Sequence, residues 1–242
     1  MRIAAAQFEP VPGDVGANVR AMAELVRTAA GQGARLVVFP ELSTTGYFLT
    51  LLAHDPALAL SPDEGDEGDA RLAPLREACR ETATAAVVNA AVRTPSGLPT
   101  ISSLVLAPDG TLLTRYDKQH LHGVENDLFV AGTRDGHFTL DGVGFALAVC
   151  YDNRFPALAA RARAAGATAY LASSVLERGN DSFESVYPVR ARDNGLYVLL
   201  ANTVGTNEGG SCAGASGAWS PDGSLLTTAG EESPGCVTVD LV

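Results

Sequence analysis

Three residues of different chemistry each stand where a strand-forming run stops. Glu41 follows "LVVFP", Lys118 follows "LLTRYD", and Cys150 closes "FALAVC", after which the chain turns polar at Tyr151, Asp152, Asn153 and Arg154. A core strand has no need of a thiol at its last residue. In α/β sheets the carboxyl ends of strands form the binding crevice, so these ends, with Ser173 and Ser174 after "AYLA", can converge there. The set is chemically coherent. A thiolate is a nucleophile, and a carboxylate within reach can take the thiol's proton. A nearby ammonium favours the thiolate and can stabilise the oxyanion of a tetrahedral intermediate. Each residue alone says little, because a lone strand-end cysteine is most often structural and a lone lysine or glutamate there is most often a solvated rim charge.

Other chemistries have less support. Serine or papain-like hydrolysis needs a histidine, and only His54, His120, His122 and His137 are available. The segment "KQHLHGVEND" offers His120 and His122 two apart with Glu125 close behind, but no third ligand or metal-binding motif stands elsewhere. No GxGxxG after a strand and no Walker-type loop occurs, so nucleotide binding lacks a signal. Cys79, Cys150, Cys212 and Cys236 are widely spaced with no CxxC, which argues for free thiols in a reducing compartment rather than a disulfide framework or zinc site.

The elements that must hold these residues follow from apolar spacing. "RIAAAQF" (2–8) reads as a strand, and Val19, Met22, Val26 and Ala29 mark one buried face of a helix ended by Gly31 and Gly33. "ARLVVFP" (34–40) is a buried strand stopped by Pro40. The acidic stretch 60–72 reads as a solvated loop. A helix with Leu72, Leu75 and Cys79 on one face follows it, then the strand "AAVVNAAV" (85–92). Hairpins are expected over 103–118, 137–150 and 217–230, with Asp141-Gly142 turning the second. The first and third share "APDGTLL" and "SPDGSLL", which fits either common turn chemistry or an internal structural duplication. Helices are expected at 157–165 and 183–194, with strands at 167–174 and 197–203. Strands alternate with helices and hairpins and no linker intervenes, so the chain reads as one α/β domain over residues 1–242.

Composition narrows the partners. Of 242 residues, 46% are hydrophobic and 19% charged, ample for a large core. Seventeen basic against 28 acidic residues give a net charge of −11, which repels phosphate backbones and makes nucleic acid an unsuitable partner. The opening "MRIAAAQFEPVPGD" turns polar too early for a signal-peptide core, and no apolar run approaches the ~18–20 residues that span a bilayer. These features predict a soluble cytoplasmic protein that engages no membrane.

The residues also match a known pattern. The chain resembles the nitrilase superfamily of carbon–nitrogen hydrolases over nearly its whole length. "AAAQFEPVPGDVGANV" is similar to the family's opening strand and loop, "LVVFPELSTTGY" to its glutamate motif, "RYDKQHL" to its lysine motif and "AVCYDNRFP" to its nucleophile motif. "VRARDNGLYVLLANTVG" and "GASGAWSPDGSLL" resemble the late helix–strand and terminal hairpin. "ENDLFVAG" resembles a segment with a second active-site glutamate, which assigns Glu125 to holding Lys118 and positioning substrate. The interval from Lys118 to Glu125 is shorter than in many members. Ala157 stands where "RFP" is often followed by glutamate, which would leave Arg154 without that partner.

The resemblance implies a four-layer α-β-β-α sandwich, a homodimer or higher homo-oligomer, and no metal or organic cofactor. It implies that Glu41 deprotonates Cys150, that the thiolate attacks an amide carbon, and that Lys118 and the Tyr151 backbone N–H stabilise the oxyanion. Glu41 then activates water to hydrolyse the thioester. Tyr47 and Val175 are expected to line the pocket. Tyr151-Asp152 after the cysteine, where nitrile-hydrolysing members tend to carry Trp-Glu, points to small linear amides, including ω-amides of dicarboxylic acids. N-carbamoyl amines, nitriles, and a catalytically silent binding protein on the same fold are the alternatives.

Overall fold

The computed structural model describes residues 1–61, 68–231 and 234–242. Of the acidic stretch, Asp63, Glu64, Asp66 and Glu67 lie outside the described residues. Asp69 does not behave as a solvated loop acid: it is buried, and it accepts hydrogen bonds from Ser61 N, Arg71 N and the Arg71 guanidinium.

In chain order the elements are β1 (Arg2–Gln7), α1 (Val15–Gly31), β2 (Leu36–Val38), α2 (Leu49–His54), α3 (Ala73–Thr82), β3 (Ala85–Val92), β4 (Thr100–Leu106), β5 (Leu112–Asp117) and α4 (Glu125–Leu128). There follow β6 (Gly136–Leu140), β7 (Val143–Val149), α5 (Pro156–Ala164), β8 (Ala169–Ser174), α6 (Ser182–Ser185), α7 (Tyr187–Asn194) and β9 (Tyr197–Asn202). The chain closes with β10 (Thr206–Asn207), β11 (Gly210–Ser211), β12 (Gly217–Trp219), β13 (Leu225–Thr228) and β14 (Gly235–Asp240).

These form two six-stranded mixed sheets, ordered β14-β1-β2-β3-β4-β5 and β13-β12-β9-β8-β7-β6, and a small β10-β11 ribbon. Period-two alternation sorts the side chains of the first sheet. Ile3, Ala5, Leu36, Val38 and Val87 face the second sheet, while Ala4, Ala6, Val37, Ala86 and Val88 pack against α1 and α3. Helices α5 and α7 cover the far side of the second sheet. The result is the α-β-β-α sandwich.

Read from β6, the second sheet repeats the pairing of the first read from β14: antiparallel, parallel, parallel, antiparallel, antiparallel. The hairpins β4–β5 and β12–β13 occupy matching places. In both, the glycine of Pro-Asp-Gly has a positive φ (Gly110 80°, Gly223 89°), the aspartate Oδ1 accepts the N–H two residues on, and one strand carries a register shift. The shared sequence is therefore both turn chemistry and a repeated position in the fold.

Some expectations shift. The strand expected over 34–40 is only Leu36–Val38, because Phe39 and Pro40 already turn the chain toward Glu41. The helix expected over 183–194 breaks at Val186 into α6 and α7, where Pro188 enters at the start of the second helix, the place a helix tolerates it. Helices α2 and α4, the β10–β11 ribbon and β14 are elements the apolar pattern did not mark.

Candidate active site

Glu41 leaves the end of β2 in a loop fastened from two sides. Its backbone N–H reaches Ser174 O of the other sheet at 3.4 Å, and the next N–H, of Leu42, donates to Asn89 Oδ1 at 2.7 Å. Asn89 sits in β3 with its side chain on the inter-sheet face and donates onward to Ser103 Oγ at 3.1 Å. Leu42 takes φ 47°, left-handed backbone that costs a branched residue about 1–2 kcal/mol and so needs such fastening. The Glu41 side chain is completely buried.

Lys118 follows β5 and is held by its backbone, N–H to Ile101 O and C=O to Gly132 N, both at 2.8 Å. Only glycine fits at 132, since a Cβ there would lie 2.1 Å from Asp117 O. The buried ammonium donates to Glu41 Oε1 at 2.7 Å and to both oxygens of Glu125 at 2.8 Å. Glu125 opens α4, and its carboxylate also receives the Tyr47 hydroxyl and the His122 backbone N–H, each at 2.7 Å. The short interval between Lys118 and Glu125 thus suffices to bring the second carboxylate onto the ammonium.

Cys150 directly follows β7 and begins the 3-10 turn Cys150–Arg154 with φ 44°. This bend lifts a partly buried thiol into the space between the sheets, 3.8 Å from Val175 O. The N–H of Tyr151 lies in the first turn of that helix, where backbone donors lack partners within the helix. Asn153 Nδ2 donates to Cys150 O at 2.8 Å and Asp152 accepts the Val149 N–H at 3.1 Å, so the bend is tied on both sides.

One ammonium faces two carboxylates, and this decides the protonation states. Burial pushes the Glu41 carboxyl up to about 7; the Lys118 charge opposes the rise and the Glu125 charge adds to it. Burial pushes the Cys150 thiol well above its ordinary value, and the Glu41 charge raises it further against the pull of Lys118. Burial disfavours the Lys118 ammonium, but the charges of Glu41, Cys150 and Glu125 outweigh it and keep it protonated. The sequence alone suggests a lysine-stabilised thiolate. In the assembled site Lys118 does favour the thiolate, but burial and the Glu41 charge favour the neutral thiol, which a hydrogen bond joins to the Glu41 carboxylate. Such a pair can pass the thiol's proton to Glu41 as sulfur attacks.

Cys150 lines a cavity of about 270 Å³ together with Tyr47, Glu125, Tyr151, Val175, Arg154, Glu177, Asn180 and Asn207. Arg154 does have a partner: without a glutamate at 157, Asp181 pairs with it and Ser182 Oγ accepts at 3.2 Å. His120 and His122 part company. The His120 ring meets Asp152 and stacks on Phe155 at 3.6 Å, while the His122 ring lies on Tyr151 at 4.7 Å. Among the described residues no three His, Cys, Asp or Glu side chains are grouped to hold a metal. Ser174 contributes a backbone carbonyl and its hydroxyl meets Tyr187 OH at 2.9 Å.

Three supporting residues escape a reading of the sequence: Asn89, Asp152 and Asn202. Asn202 repeats in β9 what Asn89 does in β3, its Oδ1 accepting the Leu176 N–H at 2.8 Å and so holding the wall that carries Val175. The available signal was a lone asparagine in each of two otherwise apolar strands.

The pattern of the carbon-nitrogen hydrolase family matches residues 2–242. The 2-oxoglutaramate amidase of Bacillus subtilis is 30% identical over 237 residues, 95% of this chain and 86% of that protein. The mouse (Mus musculus) omega-amidase NIT2 is 28% identical over 227 residues, covering 89% and 79%. Among solved structures, the E41Q mutant of the amidase from Nesterenkonia sp. AN1 is similar at 30% identity with a TM-score of 0.88, covering 100% of this chain and 93% of that one, and carries acrylamide added at its active site cysteine. Likeness to amidases in sequence, in fold and across the full span is far more specific than any single motif, and by it this chain belongs to the carbon–nitrogen hydrolase family, as an enzyme of the amidase branch.

Proposed function

We propose that Cys150, Glu41 and Lys118 hydrolyse small linear amides, ω-amides of dicarboxylic acids foremost, within one domain spanning residues 1–242. The observation that carries this is a single buried ammonium bonded to Glu41 and Glu125 and within electrostatic reach of the Cys150 thiol. Glu41 takes the thiol proton as sulfur attacks the amide carbon, and Lys118 with the Tyr151 N–H receives the oxyanion. Collapse of the tetrahedral intermediate expels ammonia, protonated from Glu41, and leaves a thioester. Glu41 then draws a proton from water, which attacks the thioester and frees the acid. Glu125 keeps Lys118 in place and, with Tyr47 and Val175, shapes the acyl pocket. No step calls for a cofactor.

The cavity supplies one cation, Arg154, for the far carboxylate of an ω-amide. Glu177 in the same lining favours a second reading, an N-carbamoyl amine with a cationic tail. Ammonia release across ω-amides, N-carbamoyl amines and butyramide separates the two. We expect ω-amides to be turned over best, Cys150→Ala to abolish turnover, and Arg154→Gln to raise KM for the ω-amide about 10-fold, as loss of a charged hydrogen bond implies, and far more than for butyramide. Faster turnover of a cationic N-carbamoyl amine would replace the ω-amide reading, and an active Cys150→Ala would end both.

A homodimer and a cytoplasmic setting fit this reading. A groove of about 590 Å³ with Phe183, Trp219 and the exposed Leu225 flanks α6 and α7, a surface a second copy could cover, which sedimentation velocity reads directly. Four unpaired cysteines suit a reducing compartment. No helix among the described residues is long and apolar enough to cross a membrane.

A further inference from the structure

Cys150 and Lys118 come from different sheets, and one buried side chain joins the backbone beside both. Asp152, two residues after the cysteine and completely buried, accepts four hydrogen bonds. Its Oδ2 receives the Val149 N–H at 3.1 Å and the Tyr116 hydroxyl at 2.7 Å; its Oδ1 receives the His120 N–H and Nδ1, each at 2.9 Å. Val149 immediately precedes the cysteine. Tyr116 and His120 stand two residues either side of Lys118. The nucleophile's bend and the lysine's strand are therefore tied to one carboxylate.

We infer that Asp152 is a positioning residue for amide hydrolysis, setting the separation of the Cys150 sulfur and the Lys118 ammonium through the backbone on each side. The inference rests on reading Cys150 and Lys118 as the reacting pair. Neither side chain fixes that separation by itself. The thiol makes a long contact to Val175 O, and the ammonium ends a four-carbon chain whose carboxylate partners come from elsewhere, Glu41 from the loop after β2 and Glu125 from α4. A carboxylate suits the task because all four partners are donors and it offers only acceptors. Burial and the neighbouring Asp152 charge hold the Tyr116 phenol well above its ordinary value, so it remains a donor. The His120 ring is clamped in turn by its stack on Phe155, whose N–H returns to Asp152 O at 3.0 Å.

Asp152→Asn keeps the shape but turns an NH₂ group toward two of the four donors, so one side of the tie must open. Misplacement by ~1 Å costs about 10²-fold in rate. We expect kcat for a neutral amide to fall by about that factor with KM little moved, and Tyr116→Phe, which removes one bond, to lose several-fold. Acylation of Cys150 followed by mass spectrometry reads these rates even when turnover is slow. The deciding comparison uses the Lys118→Ala background, where a residue acting through Lys118 has little left to lose. There both Asp152→Asn and Tyr116→Phe should slow acylation far less than in the native protein. Equal losses in both backgrounds, or a lowered Tm with unchanged kcat per folded enzyme, would overturn the inference. Native activity in Lys118→Ala alone would instead sink the reading of the site beneath it. If Asp152→Asn does not fold, Tyr116→Phe carries the same comparison.

Discussion

Glu41 holds its proton up to about pH 7 because burial penalises the charge more than Lys118 relieves it. Only the ionised form can accept the thiol proton, so activity must rise with pH through that value. We expect kcat/KM for a neutral amide to show an ascending limb centred near pH 7. Glu41→Gln should remove the limb and cost at least ~10²–10⁴-fold, the usual worth of a general base. A limb unchanged in the variant would pass the role to Glu125. The residues proposed to react were nameable from the sequence because their types are rare at strand ends and their order matched a family pattern. Their protonation was not, since sequence shows one lysine near a cysteine but not that two carboxylates share that lysine. Asp152 was illegible for a related reason: its partners are mostly backbone and donor groups that no spacing reveals.

At the scale of elements, the site depends on loops that leave strand ends and on what stops them from drifting. Asn89 and Asn202 do this in corresponding strands, each receiving the N–H of the residue one beyond a site position. Asn89→Ala leaves the buried Leu42 N–H without its acceptor, which costs about 1–3 kcal/mol. The expected result is a lower Tm together with a fall in kcat, and a smaller loss of both for Ser103→Ala, which removes only the outer link. Unchanged kcat in Asn89→Ala would show that the Glu41 loop holds itself. Buried strands and the tight hairpins were readable from apolar runs and Asp-Gly turns. The short α2 and α4 were not, because six and four residues are too few for a helical period to emerge. β14 was missed because its burial is intermediate, so its alternation is faint.

For the whole molecule, the repeated strand order places the Glu41 loop and the Val175 wall in corresponding positions, facing each other across the sheet interface. The duplicated Pro-Asp-Gly hairpin and the lone asparagines Asn89 and Asn202 were the traces of this in the sequence. The first sheet is also closed by the last strand: Arg2 pairs with Asp240 and Gln7 with Gly235. That contact spans nearly the entire chain, and contacts so distant form late because loop closure must precede them. The second sheet draws on residues 136–228 alone and holds the single tryptophan, Trp219, stacked on Tyr187. During refolding, tryptophan fluorescence should therefore return before amidase activity, which waits for both sheets to meet; simultaneous recovery would mean that the two halves fold as one. A newly made chain would then pass through an interval in which the sheet carrying Cys150 is formed and Glu41, its proposed base, is still adrift.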